Sequence, residues 1–171
     1  MTVYDPPVAT YIPLQTITLG SAASSVTFAS IPQTYRDLVL VMEASPTDTS
    51  FPSVIGLLND DSGSNYPHVR MFGSGSSAGS AASTLAYLAL GINYGLGNTT
   101  ASRFILNTTI MDYSATDKHK TALSRSGTST HGVEALAARW ASNNAVTSFK
   151  VYIAVSNFAI GSTFSLYGIA S

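Results

Sequence analysis

The one acidic cluster in the chain is Asn59-Asp60-Asp61-Ser62-Gly63-Ser64-Asn65-Tyr66, and His68 follows it closely. Carboxylates and amides at alternate positions are what a calcium loop uses. An EF-hand loop wants oxygen ligands at positions one, three and five, glycine at six and a carboxylate at twelve. Counted from Asn59, the spacing supplies Asn59, Asp61 and Gly63, and Arg70 stands where the twelfth ligand belongs. The motif fails. A looser calcium loop and a set of Asx-type turns capping a strand end are the two readings left. Serine, histidine and aspartate all occur nearby, but no G-x-S-x-G turn presents a nucleophile, so no catalytic residue is assigned.

The elements that must position this loop read as short strands. Ile17 and Leu19 alternate with Thr16 and Thr18, and Val26 and Phe28 flank Thr27. The apolar run 38–42 suits a strand covered on both faces. Residues 53–58 lead into the acidic loop and 68–72 lead out of it. In 103–113, Phe104, Leu106, Thr108 and Ile110 share one side, and Ile105, Asn107, Thr109 and Met111 the other. Residues 117–120 form a charged turn that completes a hairpin with 121–124. Over 132–142 helical and strand periods compete; Ser142-Asn143-Asn144 directly after favours a strand with Glu134, Leu136, Ala138 and Trp140 on one face. Phe149, Val151, Ile153 and Val155 alternate cleanly. The closing strand, with Phe164 and Leu166 between Thr163, Ser165 and Tyr167, must lie between or beside strands made earlier, because two-stranded pieces are marginal in water.

Two stretches resist this reading. Residues 73–84 are nearly all Gly, Ser and Ala and read as a low-complexity loop, either exposed and mobile or ordered by a partner surface. Residues 85–92 fit strand or helix. Nine to eleven short strands without a long helix make the expected fold class all-β, a jelly-roll-like sandwich of antiparallel strands over 14–171. An extended arm over 1–13 precedes it. Tyr4, Pro6, Pro7 and Tyr11 in that arm are candidate interface residues, the alternative being a frayed terminus.

Of the 171 residues only 10% are charged, against roughly 25% in an ordinary globular domain, and the net charge is −1. Such a chain hides its surface against copies of itself or clothes it in Ser, Thr, Asn and Gly. No basic stripe suits a phosphate backbone, so no nucleic-acid partner is expected. No apolar run approaches the ~20 residues of a membrane helix, so no membrane partner is expected, and Met1-Thr2-Val3-Tyr4-Asp5 lacks the basic start and apolar core of a signal peptide, so Sec-type export is not expected. The absence of cysteine excludes thiolate metal sites and thiol nucleophiles. The expected cofactor and metal content is none.

Several ordered segments carry a resemblance. They are 14–28 with 31–40, Asn59, Asp61 and Asn65-Tyr66, Asp112-Tyr113, Lys120-Thr121, the lone Trp140, and Gly161-Ser162-Thr163 with Leu166-Tyr167-Gly168-Ile169. Together they resemble a family of small tailed-phage virion structural proteins. The resemblance implies a non-enzymatic jelly-roll protein of the virion, made in the bacterial cytoplasm. Its expected role is that of a capsid decoration (cement) protein, and its expected partners are itself, as a homotrimer, and the major capsid protein or another virion protein. A chain that starts at Met1 without a stalk fits decoration better than a fibre tip. The alternative is a receptor- or glycan-binding tip of a tail fibre.

Overall fold

The computed structural model describes residues 10–48, 53–92, 103–128 and 131–170. Twelve strands and no helix occupy them. In chain order they are β1 (Tyr11–Thr18), β2 (Ser25–Phe28), β3 (Asp37–Ala44), β4 (Val54–Leu58), β5 (Tyr66–Gly73), β6 (Ala78–Leu85), β7 (Leu88–Gly91), β8 (Phe104–Met111), β9 (Lys120–Thr128), β10 (Gly132–Trp140), β11 (Phe149–Ile153) and β12 (Thr163–Ile169). They form two antiparallel sheets, one of eight strands in the order β1-β12-β3-β8-β9-β10-β5-β6 and one of four in the order β2-β11-β4-β7. The fold is an all-β sandwich.

The core lies between the sheets because the inward positions of both are large and apolar. Phe28, Leu58, Leu90, Phe149 and Val151 of the small sheet meet Leu38, Leu40, Met42, Phe104, Leu106, Phe164 and Leu166 of the large one. Phe158 closes one end, edge-on to Phe164 at 4.9 Å. Burial of this kind stabilises by roughly 25 cal/mol for each Å² withdrawn from water. The closing strand is indeed interior: β12 pairs with β1 on one side and β3 on the other. Gly168 in it lies under the ring of Tyr35, where an added Cβ would come within 2.4 Å of ring carbon.

Several expectations change. The supposed glycine-serine loop contains β6, which pairs in unbroken register with β5 from Tyr66↔Leu85 to Gly73↔Ala78. The ambiguous stretch holds β7, four residues buried throughout. In 38–42 the second face is not fully covered, since Val41 is exposed. Val155 does not continue β11: it has φ 60° and is exposed. The arm ends earlier than expected, because Tyr11 and Pro13 already belong to β1. Tyr4, Pro6 and Pro7 lie outside the described residues.

Eight strands cannot be covered by four. β7 reaches over β9 and β10, and beyond it the inner face of β6 is bare, so both faces of that strand are exposed.

Candidate interaction face

The acidic loop is a structural knot. Asp61 Oδ2 accepts hydrogen bonds from Trp140 Nε1 at 2.6 Å and Asn65 Nδ2 at 2.8 Å, while its Oδ1 accepts the Gly63 N–H at 2.9 Å. Burial alone would raise the Asp61 carboxyl, but these three donors outweigh it and hold the group below its ordinary 3.8. Tyr66 donates to the Asp61 carbonyl and stacks on Trp140. Asn59 accepts from the backbone N–H groups of Thr147 and Ser148, which ties the end of β4 to the segment before β11. Asn59 and Asp60 both take left-handed φ values near 55°, a conformation that Asn and Asp tolerate better than other side-chain-bearing residues. The Asx-turn reading therefore accounts for the loop. The side-chain oxygens of Asp61 and Asn59 are committed to protein donors, while Asn65 Oδ1 is buried without one, and among the described residues no group of three or more His, Asp or Glu could hold a metal ion.

A second carboxylate is buried deeper. Glu134 on β10 accepts from Arg70 Nη1 of β5 at 2.8 Å through Oε1 and from the Ile92 N–H at 2.5 Å through Oε2. Arg70 also donates to the Ile92 carbonyl at 2.8 Å. The pair thus grips both backbone groups of one residue and pins the end of β7 beneath the large sheet. Burial raises the Glu134 carboxyl above its ordinary value, against the opposing pull of Arg70 and the Ile92 N–H. His68, one position along the same face, is buried with its Nδ1 unpartnered. Burial first, then the Arg70 charge, lowers its pKa. The structure does not bring His68 to the acidic loop's carboxylates by any hydrogen bond it makes.

The opposite face of the same sheet carries the unexpected feature. Register places Ser165, Val41, Asn107, Arg125, Ala135, Met71 and Ser80 in one outward row across seven strands. The next row holds Tyr167, Val39, Thr109, Leu123, Ala137, Val69 and Ala82, and the third holds Thr163, Glu43, Ile105, Gly127 and Val133. Met71 is 65% exposed, Ile105 63%, Val133 62% and Val69 57%. Between the Leu123 and Val69–Met71 ridges runs a groove of ≈ 510 Å³ floored by Ala135 and Ala137. On β8, β9, β10 and β5 the outward charged residues are Arg125 and Arg139, neither of which forms an ion pair among the described residues. At the far edge, Tyr11 is exposed and meets Tyr167 edge-on at 6.3 Å.

Sequence reasoning missed this face. Both sides of β5, β9 and β10 carry apolar residues, so alternation alone does not say which side turns inward. The signal present in the sequence was the serine series Ser124-Ser126 and the pair Arg70 and Glu134 at one parity, with Leu123, Val133, Val69 and Met71 at the other.

No protein-family model matches the chain, and no curated protein matches it. A crystal structure of a protein of unknown function from Shewanella oneidensis MR-1 aligns over 94% of this chain and 77% of that one, at 11% identity and a TM-score of 0.21. That similarity is too low to inform fold or function.

Proposed function

We propose that the chain is a non-enzymatic structural protein of a tailed-phage particle, a capsid decoration protein that lies over contacts between capsid subunits. The observation that carries this reading is the exposed apolar outer face of β8, β9, β10 and β5. Contiguous apolar patches of more than a few hundred Å² are unusual on a free monomer and mark surfaces that work by contact area. Three rows at ~6.7 Å spacing across four strands ~4.8 Å apart span roughly 400 Å², about half of the ~800 Å² per partner of a standard interface, so each copy holds its target modestly and repetition supplies the rest. The low charge content agrees, since a lattice-covering protein gains from close packing and not from long-range steering. The resemblance of the ordered segments to virion proteins supplies the setting. Repeated copies oppose lattice expansion by binding assembled heads better than free capsid subunits.

The test is binding of the purified protein to heads assembled without it, compared with soluble capsid subunits. Saturable, lattice-selective binding that Leu123→Asp abolishes is the expected result. Saturable binding to cells or glycans that free sugar inhibits, with none to heads, would replace this reading by a tail-fibre tip.

A further inference from the structure

Open sheets end in strands whose outer backbone groups lack partners, and natural proteins guard such edges with proline, charge, bulges or shortness. Three of the four edges here are guarded. β1 has Pro13, which cannot donate, and a register shift between Pro13 and Gln15. β2 and β7 have four residues each. β6 has none of these devices: eight residues, no proline, no charge, no bulge, and both faces bare.

Its free hydrogen-bonding groups follow from the turn. Ser74 donates its N–H to the Ser77 carbonyl at 2.8 Å, so that pair is a bonded one. Bonded pairs recur at every second position of an antiparallel ladder, which assigns Gly79, Ala81, Ser83 and Leu85 to β5. The N–H and C=O groups of Ala78, Ser80, Ala82 and Thr84 point the other way, into solvent.

We propose that β6 is a self-association edge, pairing antiparallel with β6 of a second copy about a twofold axis at Ala81. That register sets Ser80 against the partner's Ala82 and Ala78 against the partner's Thr84. All outward groups of the four residues are then bonded. The occupant follows from what β6 lacks. Added strands of foreign sequence are selected through side-chain pockets and charge; β6 itself carries no charge, and the hollows beside it lie over β5 and β10 and not along its free edge. An identical strand needs neither, because small residues meet small residues in an isologous contact. Seven small residues and Leu85 cover less than the ~1,200 Å² of a standard interface, so the dimer is reversible. A twofold axis normal to the sheet leaves both apolar outer faces on one side, so the dimer offers a target two adjacent contact faces and gains by avidity. This edge pairing stands independently of the virion reading.

The test is sedimentation of the full chain across a concentration series, beside Ser80→Pro and Ala82→Pro. Both substitutions remove an outward donor and leave the β5 ladder intact. The expected result is a reversible monomer–dimer equilibrium in the wild type and monomers in both variants at unchanged circular dichroism. Amide exchange of the unsubstituted protein, read at Ser80, Ala82 and Thr84, should slow at least several-fold between dilute and concentrated samples, which decides the matter even if a variant misfolds. A wild type that stays monomeric at hundreds of micromolar, variants that associate as it does, or a trimer with unprotected β6 amides would overturn the proposal. Head binding by a protein that fails this test would leave the decoration role standing.

Discussion

Strands β12 and β3 bury Phe164, Leu166, Leu40 and Met42 and turn Thr163, Ser165 and Glu43 outward. In the same sheet β9 and β10 bury Ser124, Ser126 and Glu134 and expose Leu123 and Val133. The first region follows the usual partition of an antiparallel sheet with one wet face. The second departs from it in part. β7 reaches over β9 and β10, yet Ser124, Ser126 and the Glu134–Arg70 pair share their inner face with Leu136 and Trp140, and Leu123 and Val133 sit on the outer one. The lesson is that the second region carries large apolar side chains on the side facing away from its own core as well as polar groups inside it.

Substitutions can break or sharpen this contrast. The largest loss of stability is expected from Phe164→Ala in the conventional region, about 3–5 kcal/mol by chemical denaturation, from lost burial and the cavity left behind. Glu134→Ala in the second region should cost about 3 kcal/mol, since it removes the carboxylate from the partly buried Arg70 and leaves the Ile92 N–H without its acceptor; a loss under about 1 kcal/mol would mean that water already reaches this clamp. Acid provides a third probe. His68 has a folded pKa below its ordinary 6.5, so its contribution is present above pH 6.5 and lost as pH falls through the folded value. The unfolding free energy should therefore fall as the pH drops from 6.5 through the folded value, and the fall should be shallower in His68→Gln. Leu123→Ser is expected to change monomer stability by less than about 0.5 kcal/mol while reducing lattice binding. The smallest effect belongs to Ser126→Ala: its buried hydroxyl has no hydrogen-bond partner, so the melting temperature should stay level or rise slightly.

Much of the conventional region was legible in the sequence. Phe149, Val151 and Ile153, or Phe104, Leu106 and Ile110, alternate with residues that leave little choice of inward face. Even the contested stretch around Trp140 resolved as the strand face of Glu134, Leu136, Ala138 and Trp140. β6 was illegible because Ala, Gly and Ser carry no hydrophobic period. Its conformation is imposed by the ladder to β5 and by Gly79, whose missing Cβ makes room for the Phe72 ring at 2.8 Å. The candidate face was illegible for a different reason. Which parity of β5, β9 and β10 turns outward depends on how far the small sheet extends, and no local pattern encodes that. The acidic loop was conspicuous by composition, yet its carboxylate serves Trp140, a residue far along the chain that only the fold brings near.

Tyr11 pairs with Ile169, so the first described strand is seated by the last. A ladder of that span demands that nearly the whole polypeptide be in place before its first contact is rewarded, which makes folding slow for a domain of this size. Slow pairing of that kind leaves apolar strands without partners for longer. Refolding yield should therefore decline steeply with protein concentration, even where the finished molecule is soluble.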